Sequence, residues 1–115
     1  MLVDMVKIGS VVLTVRDIQR ASTFWRSALG YVPGHGNDAM LVPENGEGPF
    51  LLLDAEDRTH LDLWAANSQE QQAEVDRLVS LGARRVEDWV YPDDADFIVL
   101  ADTEGNLFCV IDAGR

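Results

Sequence analysis

The order of elements in the first half of the chain is written again in the second, and this repetition limits the possible folds more than any other feature. Residues 8–15, "IGSVVLTV", are rich in β-branched side chains and read as a strand. Asp17 is placed to cap a helix whose Ile18, Ala21, Phe24, Trp25, Ala28 and Leu29 recur at the spacing of one buried face. Gly30 stands where a helix stops in the left-handed conformation. Short strands over 31–33 and 39–42, separated by the Gly34-His35-Gly36 loop, and a strand over 49–54, "PFLLLD", complete the half. The second half opens with a strand over 59–65. Ser68 and Gln71 read as a capping box for the next helix. Val75, Leu78 and Val79 form its buried stripe, and Leu81-Gly82 ends it as Leu29-Gly30 ended the first. Strands over 84–87, 97–101 and 106–111 follow, the last two joined by the turn "DTEG". The chain therefore reads as one α+β domain, 1–115, of two βαβββ modules, about 6–55 and 58–113.

A βαβββ module has one helix to cover one face of its sheet, so the other face must meet something else. Two such sheets side by side would make an incomplete, barrel-like mixed sheet with a central hollow, a natural place for a ligand. Strand alternation assigns the faces. One set, Val11, Leu13, Val15, Leu51, Leu53, Leu61, Leu63, Phe108 and Val110, is wholly apolar and suits the helix side. The other set faces the hollow: Ser10, Val12, Thr14, Phe50, Leu52 and Asp54 from the first module, and His60, Asp62, Trp64, Leu107, Cys109 and Ile111 from the second. A slip of one residue would bury His60 and Asp62 beneath a helix. In this register Ser10 of the first module corresponds to His60 of the second, and Phe50 to Leu107.

Charge narrows the partners. Nine basic against twenty acidic residues give a net −11, which repels nucleic acid and favours solubility or a cationic ligand. No run of apolar residues is long enough to span a membrane, and "MLVDMVKIGS" has no signal-peptide pattern. The lone Cys109 excludes an internal disulfide and fits a reducing, cytoplasmic setting.

Three stretches, "VVLTVRDIQRASTFWRSALGY", "HLDLWAANSQEQQAEVDRLVSLGA" and "LADTEGNLFCV", resemble the vicinal oxygen chelate superfamily. That group includes glyoxalase I, extradiol dioxygenases and the bleomycin-type antibiotic-binding proteins. The chain looks most like its short actinobacterial glyoxalase-like domains. The resemblance implies paired βαβββ modules, usually as homodimers. Metal-bearing members hold a divalent ion with one side chain from the first and one from the last strand of each module. Carried over, those positions are Ser10, Phe50, His60 and Leu107. Phenyl and isobutyl groups cannot replace an ion's water, so the expectation is that the usual metal site is missing and no cofactor is bound.

Two other arrangements stay open. His60 and Asp62 form a His-x-Asp pair to which His35 would have to add the third arm of an iron site. The alternative is that, about 7 Å apart along one strand face, they pair for metal-free acid–base catalysis. The hollow would then be lined by Ser10, Thr14, Phe50, Leu52, His60, Asp62, Trp64, Leu107 and Cys109, with Trp89 on an acidic rim suited to a cation. Cys109 reads as a small buried hydrophobe. The functional expectation is a homodimeric binder that sequesters a small organic compound, cationic or aromatic. The rivals are a glyoxalase-like lyase or dioxygenase, and a structural or regulatory dimer with a filled hollow.

Overall fold

The computed structural model describes residues 5–114; residues 1–4 of the N-terminal stretch considered above, and residue 115, lie outside it. Among the described residues are eight strands and two helices, giving an α+β fold in two compact units. The first unit is Gly9–His60; the second takes residues 5–8 and 61–114. Each carries the βαβββ order, except that Lys7 and Ile8 at the start of the first strand fall with the second unit and His60 at the start of the fifth falls with the first.

In the first unit, β1 (Lys7–Thr14) leads to α1 (Ile18–Leu29), then β2 (Tyr31–Gly34), β3 (Asn37–Pro43) and β4 (Phe50–Asp54). The strand order is β2-β3-β4-β1, with β4 antiparallel to β3 and parallel to β1. Asp17 caps α1 through an oxygen that accepts from the N–H of Arg20 at 3.0 Å, and Gly30 closes it at φ +71°. The β2–β3 turn holds His35 at φ +52° and Gly36 at φ +74°, two successive positive angles as in a two-residue type I′ hairpin. Leu41, Leu51 and Leu53 form the core, packed by Val11, Leu13, Val15, Ile18, Ala21 and Trp25.

That core corrects the expected stripe of α1. Phe24 is 61% exposed and Leu29 49%, while Ser22 is fully buried. The inward row is Ile18, Ala21, Ser22 and Trp25, spaced i, i+3, i+4 and i+7. The helix is rotated so that Trp25, not Phe24, fills the space above Leu51 and Leu53.

In the second unit, β5 (His60–Ala65) is followed by α2 (Ser68–Ser80), β6 (Arg84–Arg85), β7 (Phe97–Ala101) and β8 (Leu107–Asp112). The order β6-β7-β8-β5, with β8 antiparallel to β7 and parallel to β5, repeats the first unit's topology. Asp102 shapes the β7–β8 turn: its Oδ1 accepts from the N–H groups of Glu104 and Asn106, both at 2.8 Å, and its Oδ2 from the Asn106 side-chain amide. Those donors, the Asn106 amide first, hold its carboxyl below the usual carboxylate range.

Ala65, Val75, Leu100 and Val110 form this unit's core, with Val6, Leu78, Ala83, Ile98 and Phe108 packed around them. Leu61, expected beneath the helix, is 40% exposed, because the cluster under α2 begins further along β5, at Ala65. Val79 is also exposed, and the inward row of α2 is Gln71, Glu74, Val75 and Leu78. The capping box is not formed: Asn67 is the N-cap, accepting from the N–H of Glu70 at 2.8 Å. Gln71 instead turns inward and donates to the carbonyls of Asp96 (3.0 Å) and Val110 (2.9 Å). Glu74 accepts from the N–H of Val6 at 2.7 Å and pairs with Arg77. Both buried polar side chains thus find their hydrogen-bond partners in backbone groups.

Candidate functional site

The face of β1 and β4 away from α1 carries the first unit's candidates. The parallel register sets Ser10 beside Phe50, Val12 beside Leu52 and Thr14 beside Asp54. Ser10 is 1% exposed, and Phe50 and Leu52 are half-buried. Thr14 is exposed and tied to the following turn: its hydroxyl donates to the Asp57 carbonyl, and its N–H donates to Thr59 Oγ1 at 3.1 Å. Asp54 serves the same turn. It accepts from the N–H groups of Glu56 (2.8 Å) and Asp57 (2.9 Å), which hold its carboxyl below the usual range.

The second unit's candidates lie on β5 and β8. Asp62 pairs with Cys109 and Trp64 with Ile111; the pair Leu61 and Phe108 sets Leu107 level with His60. The sequence-derived correspondence of the modules therefore holds at the level of strand register: Ser10 is to Phe50 as His60 is to Leu107. His60, Asp62, Trp64, Leu107 and Cys109 are all half-buried. The Nδ1 of His60 lies 2.8 Å from the Arg58 carbonyl and 4.0 Å from an Asp57 carboxylate oxygen. A carbonyl at that distance can accept from Nδ1 when that nitrogen carries a proton.

One grouping was not foreseen. A ring nitrogen of His60, a carboxylate oxygen of Asp62 and Cys109 Sγ all lie within 4.8 Å of one another. His60 opens β5, so its place beside Asp62 is set by that strand. The sequence had put the three on one strand face but treated Cys109 as packing. His35, considered as a third arm, is exposed at the tip of the β2–β3 turn and takes no part in the cluster.

Trp89 stands apart from these strands, 40% exposed on the segment between β6 and β7. That segment is anchored by Tyr91, whose Oη accepts from the N–H of Val99 at 2.8 Å and whose ring packs on Phe97. A groove of about 430 Å³ runs along it, lined in part by Arg85, Glu87, Tyr91, Asp93 and Phe97, without Trp89.

The resemblance assigns the superfamily's metal to Ser10, Phe50, His60 and Leu107. Phe50 and Leu107 carry no donor atom, which leaves a hydroxyl and one imidazole, too few to replace a hydration shell.

Comparison with known proteins bears on the fold. The glyoxalase-like domain family matches residues 10–111, and the chain belongs to that family, within the vicinal oxygen chelate superfamily. Among solved structures it is similar to Streptomyces coelicolor methylmalonyl-CoA epimerase in complex with 2-nitronate-propionyl-CoA. That match has 17% identity over 97% of this chain and 100% of the other, with a TM-score of 0.61. A Legionella pneumophila protein described as NAD-dependent benzaldehyde dehydrogenase matches at 17% identity and TM-score 0.60, over 89% of this chain and 96% of that one. Methylmalonyl-CoA epimerase from Mycobacterium tuberculosis matches at 17% and 0.53, over 96% and 91%. No curated protein sequence matches significantly. At such identities the likeness is one of fold. Among the described residues no helix is long and apolar enough to cross a membrane.

Proposed function

We propose that this protein binds a small organic ligand, cationic or aromatic, against the sheet faces that α1 and α2 leave uncovered, and that it acts in the cytoplasm as a homodimer. The observation that carries this reading is the side-by-side placement of Phe50 and Ser10, with Leu107 level with His60. Where the family grips an ion, this chain presents apolar surface with a few polar groups, the usual make-up of an organic-ligand site. Leu52 and Trp64 extend the apolar part, and Ser10 and Asp62 supply polar contacts. The net charge of −11 favours a cation and disfavours nucleic acid. The complex of the similarly folded Streptomyces epimerase is a precedent for a small organic ligand on this scaffold.

Tryptophan fluorescence tests this directly. Titration with cationic aromatic dyes such as ethidium and acriflavine is expected to give saturable quenching that Trp64→Phe largely removes. A flat or non-saturating response across the dyes would overturn the reading. A second reading, a glyoxalase-like lyase or dioxygenase worked by His60 and Asp62, draws on the closeness of imidazole and carboxylate. It requires a turnover that His60→Ala abolishes.

A further inference from the structure

We propose that His60, Asp62 and Cys109 form a zinc-type metal site, displaced from the positions the family uses. The inference does not rest on the organic-ligand reading. Relative to the family positions His60 and Leu107, two of the three donors lie one pleat further on: Asp62 two residues along β5, and Cys109 two residues along β8. Strand alternation keeps all of them on one face. The site keeps the family's imidazole and exchanges its partners, so Phe50, Leu107 and Ser10 are not needed.

Three features support the assignment. The donor atoms converge within 4.8 Å of one another on two directly paired strands, in which Asp62 stands opposite Cys109. Ligand bonds of about 2.0–2.3 Å place tetrahedral donors roughly 3.3–3.8 Å apart, so small side-chain rotations close the set around an ion. The Nδ1 of His60 also lies 2.8 Å from the Arg58 carbonyl, the kind of contact that orients the ring of a metal-binding histidine whose ligand atom is Nε2. Finally, the donors are one nitrogen, one sulfur and one oxygen. A thiolate and an imidazole select zinc or cobalt over magnesium or calcium, which prefer oxygen alone. The negative charges of thiolate and carboxylate balance a divalent ion, and three protein ligands leave a fourth position for water or a ligand atom. The Cys109 thiol loses its proton when the ion binds.

The test is a titration of the untagged full chain, stripped with chelator and kept reduced, with cobalt(II). The expected result is one equivalent bound, with tetrahedral visible bands and a thiolate-to-cobalt charge-transfer band in the near ultraviolet, both bleached by one equivalent of zinc. Cys109→Ser should lose the near-ultraviolet band. Asp62→Asn and His60→Gln should each weaken cobalt binding at least about tenfold, given that even outer-sphere partners of metal ligands are worth that much. Far-ultraviolet circular dichroism checks the fold of each variant. If stoichiometric cobalt gives the wild-type chain no charge-transfer band, or if the band survives in Cys109→Ser, the assignment is overturned. Cobalt binding without dye quenching would sink only the organic-ligand reading; quenching without cobalt binding would sink only this one.

Discussion

Glu74 shows how one side chain can join distant parts of the sequence. Its carboxylate accepts from the N–H of Val6, 68 residues away, and from Arg77 one turn along α2. Arg77, then the Val6 N–H, hold its carboxyl below the ordinary value of 4.5 despite burial. A carboxylate with a lowered folded-state pKa adds stability above its unfolded value and loses it as pH falls through the folded one. Glu74→Gln keeps an acceptor for Val6 but removes the ion pair. Because water reaches the guanidinium, the expected cost at neutral pH is about 1 kcal/mol. Urea unfolding should show the gap between wild type and variant narrowing from about pH 4.5 downward. A gap that is constant with pH would mean the ion pair adds nothing. This role was not legible in the sequence, because Glu74 lies on a mostly polar helix and its partner Val6 lies in the other half of the chain.

The start of α2 makes the same point for an element. A serine followed three residues later by glutamine is a capping-box pattern, yet Gln71 is turned into the core and Asn67 caps the helix one residue earlier. Asn67→Ala should therefore cost about 1 kcal/mol, and Ser68→Ala only a few tenths, in chemical denaturation. Equal costs would restore the capping box. Helix α1 was read correctly at both ends, because Asp17 and Gly30 act through local backbone geometry. Its inward row was read too broadly: Trp25 packs inward as expected, but Phe24 and Leu29 stay exposed, because neighbouring aromatics give nearly the same helical periodicity. Only the leucines of β3 and β4 decide between them.

For the whole molecule the governing quantity is the net charge of −11. If the ligand is cationic, long-range attraction contributes to its capture, and that part is screened once the Debye length falls to about 3 Å near 1 M salt. Dye affinity should fall several-fold between low and high ionic strength, while cobalt affinity, set by short coordinate bonds, should change much less. Dye binding that is insensitive to salt would assign the recognition to apolar contact with Phe50, Leu52 and Trp64 alone.

Element order, the repeated βαβββ topology and the faces of β1, β4, β5 and β8 were all present in the sequence. They arise from alternation, helical spacing and turn chemistry, which act between residues a few positions apart. Tertiary structure alone decided that Gln71 and Glu74 belong to the core, that α1 leaves Phe24 outside it, and that Cys109 stands beside Asp62. Each depends on which residue of a distant strand lies alongside. Alternation tells which face a side chain takes, but a neighbour on that face exists only once strands separated by dozens of residues have paired in register.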